Sequence, residues 1–245
     1  MTERVLNWEG CLNVRELGGH GTEDGRTTRF GAVVRADSVR HLTPAGWRAL
    51  VDYGVRTIVD LRRHDELERD PPLDVPVEVV HVPLQTEQDE VDVQRVWRGG
   101  DEDEAGIHAA YALMTEALAP NFARAIDTVA KAPEGGVVVH CYAGKDRTGL
   151  TCAMLLRLAG VAIEDIAADY GLSSENIRRL IDPWAAAAPD ERERALRRRI
   201  GASPPQVMAD VLAGLEERHG TMRGYLLDAG ANPDSLDRAG ARLLG

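Results

Sequence analysis

The stretch Val137-Val138-Val139-His140-Cys141-Tyr142-Ala143-Gly144-Lys145-Asp146-Arg147-Thr148-Gly149 decides how this chain reads. Its β-branched apolar run predicts a buried strand. The strand delivers Cys141 into a short loop, and an apolar helical pattern follows through Leu150, Ala153, Met154, Leu155, Leu156 and Leu158. A cysteine, five residues and then an arginine is the spacing a thiolate needs to attack a phosphate monoester. A loop of that length can wrap so that successive backbone N–H groups converge on one anion. The helix that follows adds its own free N–H groups and positive dipole end. Arg147 can clamp two phosphate oxygens with its planar fork. The same positive field favours ionised Cys141, so a thiolate nucleophile is expected near neutral pH.

The string His-Cys-x5-Arg-Thr resembles the signature of the cysteine-dependent protein-tyrosine phosphatase superfamily. With Ala143-Gly144-Lys145-Asp146 inside it, it is similar to one bacterial branch, the atypical tyrosine and lipid phosphatases of the mycobacterial tyrosine phosphatase B type. The resemblance continues outside the loop. Asn13-Val14-Arg15-Glu16-Leu17-Gly18-Gly19 resembles that branch's Asn-x-Arg-Asp-x-Gly-Gly segment, with Glu16 in place of its aspartate. Arg35-Ala36-Asp37-Ser38 and Val59-Asp60-Leu61-Arg62 are similar to two further motifs of the branch, and Tyr225-Leu226-Leu227-Asp228 lies in a tail like its own. The resemblance implies an α/β fold, a central and mostly parallel sheet of four or five strands with helices on both faces, as one phosphatase domain over 1–245. It also implies a helical lid at about 173–202, and activity on phosphotyrosine with dual specificity or phosphoinositide hydrolysis.

Each loop residue then has an expected role. Cys141 attacks phosphorus and forms a cysteinyl-phosphate. Arg147 holds the equatorial oxygens as charge redistributes. Tyr142, Ala143, Gly144, Lys145 and Asp146 complete the wall around the phosphate, and Gly144 lets the backbone curl without a clashing Cβ. Thr148 either donates its hydroxyl to the departing sulfur, caps the helix, or does both. His140, at the strand end, organises the loop by hydrogen bonding. Gly149 allows close packing of loop against helix. Lys145 is a surface lysine or, as the resemblance to inositide-active phosphatases implies, a contact for further substrate phosphates. Asn13 and Arg15 either buttress the site or are structural turn residues.

The leaving oxygen needs a proton, which a carboxyl group usually supplies. Asp60 ends a predicted strand, and strand ends at one sheet edge converge on such a loop; the resemblance also places a candidate acid at its motif. The alternative for Asp60 is an ion pair with Arg62 or Arg63. Asp146 is the rival acid. A carboxylate inside a phosphate loop opposes the ligand by like charge, so its presence calls for a function.

With 40 acidic against 29 basic residues the net charge is −11, which disfavours a nucleic-acid surface and polybasic docking on membranes. Aromatic residues are 4% of a chain that is 44% hydrophobic, so aliphatic residues and alanine must fill the core. Three cysteines, Cys11, Cys141 and Cys152, are no disulfide framework, and the helix separating the last two argues against their pairing. A reducing cytoplasm is expected, with export by a route that uses no signal peptide left open, because Met1 to Trp8 has no apolar core and no window reaches a membrane span. His64 and His81 sit apart in sequence without a ligand-spaced partner, and the cysteine route needs neither metal nor cofactor. The expected partners are substrates, phosphotyrosine proteins or phosphoinositides. Two other classes compete: a phosphate-binding module without turnover, and sulfur transfer through a persulfide on Cys141, whose loops lack the Arg-Thr-Gly helix entry.

Along the chain, Thr43 caps a helix that Pro44 opens. Strands are expected at Val55–Val59 and, after the Pro71-Pro72 break, at Val77–Val82. The acidic stretch Glu87 to Glu104 reads as a mobile connection. Helices are expected at about 105–118, 121–132 with Asn121 as cap, and 148–159 ending at Gly160. Ile163, Ile166, Ala167 and Tyr170 share a helical face, and Ser173 or Ser174 would cap the next helix. Residues 184–200 read as an exposed, salt-bridged helix or as the lid. Three helices close the tail at about 204–218, 221–229 and 234–244.

Overall fold

The computed structural model describes residues 4–70, 75, 77–99 and 105–244. Five strands form one sheet in the order β1-β2-β5-β3-β4: β1 Arg15–Glu16, β2 Val33–Ala36, β3 Val55–Asp60, β4 Glu78–His81 and β5 Gly136–His140. Only β1 runs antiparallel, against β2; the other neighbours are parallel. The central strand β5 is buried along all of its length, as a parallel strand covered on both faces must be. Its alternate side chains part company. Val137 and Val139 join a core with Phe122, Ile126, Leu150 and Leu155, whereas Val138 packs with Val34, Ile58, Leu50 and Trp8. Burying each of these aliphatic side chains stabilises the fold by about 1.5–3 kcal/mol relative to exposure.

Helices cover both faces. One face carries α1 (Pro44–Asp52), which Thr43 caps by accepting the Gly46 N–H at 3.2 Å. The other carries α4 (Ala105–Ala117), α5 (Ala119–Lys131), α6 (Asp146–Leu158), α7 (Ile163–Gly171), α11 (Pro205–His219), α12 (Met222–Asp228) and α13 (Pro233–Leu244). Because β2, β3, β4 and β5 are parallel, their C-terminal ends share one edge. The register sets Ala36 and Asp60 beside His140, and His81 beside Asp60. The loop after β5 therefore opens where the other strand ends meet it. Gly160, at φ 83°, stops α6 as expected.

Three local expectations need correction. Glu87–Gly99 is a helix, α3, rather than a mobile connection. Its acids Glu87, Asp89 and Glu90 sit in the first turn, where the helix dipole favours negative charge, and Val93 and Trp97 bury one face at i, i+4 spacing. Residues 100–104 of that stretch, and the Pro71-Pro72 break, lie outside the described residues. Asn121 does not cap α5, which already begins at Ala119; its amide donates instead to the Leu84 carbonyl at 2.9 Å. Neither Ser173 nor Ser174 caps α8 (Ser173–Asn176): the Ser173 hydroxyl accepts from Arg15, and the Ser174 hydroxyl meets that of Ser203.

Residues 173–202 hold α8, α9 (Arg178–Ala186) and α10 (Glu191–Gly201). The charge run is ion-paired, Arg197 with Glu193 at 3.0 Å and Arg194 with Glu191. Asp190 caps α10 by accepting the Glu193 N–H. Arg98 at the end of α3 reaches across to Glu193 at 2.9 Å.

Candidate active site

The loop between β5 and α6 is tied to the scaffold through its carbonyl oxygens. The Ser38 N–H donates to Tyr142 O at 2.9 Å. The Asn13 amide donates to Ala143 O and to Gly144 O, each at 3.1 Å, and Arg35 Nη2 donates to Gly144 O at 2.8 Å. No described peptide bond is cis. A trans peptide sends its N–H opposite to its C=O, so the amides of Ala143, Gly144 and Lys145 face away from the scaffold. Gly144 has φ 66°, and a Cβ there would stand 2.5 Å from Ala36 O. Only glycine fits the turn and the close approach together.

Behind the loop lies a buried ion cluster. Arg15 donates to Asn13 Oδ1 at 2.6 Å and to Asp169 at 3.0 Å, while Arg35 meets the other Asp169 oxygen at 2.9 Å. Burial works to raise the Asp169 carboxyl, but Arg15 and Arg35 outweigh it and hold it at about 2. Asp37 fixes the N-terminal segment by accepting the N–H groups of Leu12 and Asn13 at 3.0 and 2.9 Å. Asn13 and Arg15 thus stand in one network that ends on the loop.

Cys141 and Arg147 are both buried and both line a cleft of about 610 Å³. Arg147 reaches Glu66 of α2 (His64–Arg69) end-on, Nη1 to Oε2 at 2.5 Å and Nη2 to Oε1 at 2.9 Å. Burial opposes the guanidinium charge, yet Cys141 and Glu66 more than restore it and raise the Arg147 pKa. The end-on fork leaves the Nε edge of the guanidinium outside the Glu66 pair. The Thr148 hydroxyl is fully buried with no partner among the described residues. His140 Nδ1 lies 3.1 Å from the Cys141 carbonyl, and burial first, then Arg62, keeps its imidazole below the ordinary histidine range despite Asp60. Gly149 brings α6 onto α7; a Cβ there would meet the Tyr170 ring at 3.1 Å.

The two candidate acids are placed very differently. Asp60 is buried and turned to Arg62, accepting from Nε at 3.0 Å, from Nη2 at 2.8 Å and from the backbone N–H at 3.0 Å. Burial would raise its carboxyl, but His140 and Arg62 lower it further, and Asp60 does not line the cleft. Both of its oxygens are thus taken up by Arg62, the ion pair that was the alternative for this residue, with Oδ1 also 3.6 Å from His140 Nε2. Asp146 does line the cleft. Its Oδ1 accepts from the Tyr111 hydroxyl at 2.6 Å and lies 3.1 Å from Lys145 Nζ.

Lys145 is also not where a substrate contact was expected. Its ammonium donates to the carbonyls of Ile200 and Ala202 at the end of α10, the second at 2.9 Å, and the side chain is 3% exposed. Tyr142 stands half-exposed at the rim of the cleft, with Ala143 beside it. The walls come from residues the sequence reading did not single out for the site: Arg62, Arg63, Glu66 and Arg69 near α2, Glu90, Gln94 and Trp97 of α3, Met114 of α4, Trp184 of α9 and Ile200 of α10. The one signal for Glu66 was its position, one helical turn beyond Arg62-Arg63. His64 and His81, far apart in sequence, meet edge to face at 4.9 Å. Among the described residues no group of three or more His, Cys, Asp or Glu is placed to hold a metal ion.

Phosphate is the ligand that a loop of inward amides and a buried arginine accommodates, and a cysteine beside it makes this a phosphatase site of the cysteine class. The chain matches the tyrosine phosphatase family over residues 6–245 and belongs to it. It is a cysteine-dependent protein-tyrosine phosphatase. Among its relatives, a tyrosine-protein phosphatase of Nostoc commune is 28% identical over 86% of this chain and 74% of its own length. The triple specificity protein phosphatase PtpB of Mycobacterium tuberculosis is 26% identical over 98% of this chain and 99% of its own. A crystal structure of TpbA from P. aeruginosa is 17% identical and covers 85% of this chain and 94% of that one with a TM-score of 0.33, an overlap too small to bear on the fold.

Proposed function

We propose that the protein hydrolyses phosphotyrosine through a cysteinyl-phosphate, with dual specificity or phosphoinositide activity in the same cleft. The observation that carries this reading is Cys141 and Arg147 together on one cleft whose walls include Trp97, Met114, Trp184 and Ile200. Those walls suit an aryl ring, and the arginine fork suits the phosphate at its end. In the first step the Cys141 thiolate attacks phosphorus. The P–O bond breaks, and Asp146 in its acid form gives its proton to the leaving oxygen. In the second step a water attacks the phosphorus and loses its proton to Asp146. The P–S bond breaks, and the Thr148 hydroxyl donates to the sulfur as it departs. Arg147, held by Glu66, spans the equatorial oxygens in both steps.

Substrate breadth rests on two supports. Arg63 and Arg69 sit in the cleft wall near α2 and would meet phosphates beyond the one under attack. The PtpB relative carries triple specificity in its name. The same reading treats 1–245 as one domain with 173–202 as a lid, because Trp184 and Ile200 of that region form part of the cleft wall. The reading places its action in the cytoplasm, where a reducing milieu keeps Cys141 a thiol.

The test is kcat/KM on phosphotyrosine, phosphoserine and phosphothreonine peptides and on phosphoinositides. Phosphotyrosine peptides should lead, with measurable turnover of at least one other class. Tight binding of phosphopeptides without any turnover, even of p-nitrophenyl phosphate, would replace the enzyme by a phosphate-binding module.

A further inference from the structure

The mechanism leaves two buried phenols unused. Tyr111 of α4 and Tyr170 of α7 stand with their hydroxyl oxygens 2.6 Å apart, and Tyr111 also lies 2.6 Å from Asp146 Oδ1. Both rings are buried and meet edge to face at 6.1 Å, so neither hydroxyl has a choice of partner. A carboxylate only accepts and a phenol has one proton. With Asp146 ionised, Tyr111 must donate to it, and Tyr170 must donate to Tyr111. The direction of the chain is fixed: Tyr170 to Tyr111 to Asp146.

We propose that this tyrosine pair is the positioning device of the general acid: it claims Oδ1, so that the proton for the leaving group resides on Oδ2. The proposal rests on the assignment of Asp146 as the acid. Lys145 Nζ approaches the same oxygen, Oδ1, and no donor among the described residues is bonded to Oδ2. A protonated carboxyl with one oxygen occupied by two donors carries its hydrogen on the other. Around Asp146 stand Tyr111 from α4, Tyr170 behind it from α7, Lys145 next to it, and Arg147 of α6 and Cys141 of the loop in the same cleft, with Arg35 of β2 acting on Tyr170. Burial first, and then the Asp146 charge, push both phenols far above their ordinary range. They therefore remain neutral donors wherever the enzyme works.

Two consequences separate this from a packing role. A donor to an ionised carboxylate favours the ionised form, so its loss lets the acid keep its proton to higher pH. A carboxyl that no longer has a fixed proton-bearing oxygen protonates poor leaving groups less well, while activated ones need little help.

The experiment compares Tyr111→Phe, Tyr170→Phe and Asp146→Asn with the native enzyme. kcat is followed against pH and across a series of aryl phosphates of rising leaving-group pKa, and melting temperatures confirm that each variant folds. Tyr111→Phe should move the basic limb of kcat to higher pH and steepen the leaving-group dependence, costing about tenfold on the poorest leaving group. Tyr170→Phe should do the same to a smaller extent, because it acts through Tyr111. A folded Tyr111→Phe enzyme with the native limb and the native leaving-group slope overturns the tyrosine pair while leaving Asp146 as the acid. An Asp146→Asn enzyme that keeps the basic limb overturns the assignment of the acid, and the positioning device with it.

Discussion

Replacing one sulfur by oxygen is the smallest change that tests the nucleophile. Cys141→Ser should abolish turnover of every substrate with the melting temperature kept, since a hydroxyl is a far poorer nucleophile than a thiolate at neutral pH. Retained turnover would place the chemistry on another group. Arg147→Lys should lower kcat by orders of magnitude at saturating substrate, because an ammonium cannot form the planar fork. A rise in KM alone would confine Arg147 to binding. Glu66→Gln probes the fork from behind. The neutral amide keeps the size of the carboxylate but not the two charge-assisted bonds that aim Arg147. Misplacing the guanidinium by a fraction of an ångström should cost about 10- to 100-fold in kcat, with KM changed far less. Equal losses in binding and turnover would make Glu66 a general support for the cleft.

At the scale of elements, the part that was legible in the sequence is the part that is local. Strand β5, the loop and helix α6 occupy contiguous residues, so the apolar run, the turn glycine and the helical pattern could all be read from one stretch. The acidic helix α3 was hidden by its composition: one buried face of Val93 and Trp97 is a weak signal amid Glu87, Asp89, Glu90 and Asp92. The direction of Asp60 was not legible at all. A strand end brings a carboxyl to the right edge, but Arg62, two residues on, claims both of its oxygens. Lys145 illustrates the same limit over a longer range, because its partners are carbonyls of Ile200 and Ala202. The walls of the cleft come from five separate helices, α2, α3, α4, α9 and α10, and no local pattern announces their convergence.

At the scale of the whole molecule, the buried cluster around Asp169 sets a pH dependence of stability. Its carboxyl titrates at about 2 in the folded protein, against an ordinary value of 3.8. A depressed carboxyl contributes stability that is present above the unfolded value and lost as pH falls toward the folded one. Between about pH 4 and pH 2 the fold should therefore lose on the order of 2 kcal/mol from this group alone. Urea midpoints measured across that window should fall in the native protein. In Asp169→Asn the curve should be lower throughout, since Arg4, Arg15 and Arg35 lose their counter-ion, but flatter in the same window. A parallel curve would move the acid sensitivity to other carboxylates.

The chain contains two lysines, Lys131 and Lys145. Lys131 holds its side chain 60% exposed, and Lys145 keeps 3% exposed with its amine on the end of α10. An amine bound to two carbonyls and beside the Asp146 carboxylate cannot be acylated until it is released. Under a dilute anhydride, Lys131, exposed and paired with Asp127 on its own helix, reacts at the rate of a surface amine and serves as the internal clock. Lys145 reacts only when the end of α10 lifts from the loop and its ammonium leaves Asp146. The ratio of the two acyl masses, read from one digest, converts a hydrogen bond into a frequency of opening. Saturating vanadate should change that ratio if the helix and the phosphate loop move together, and leave it alone if they do not.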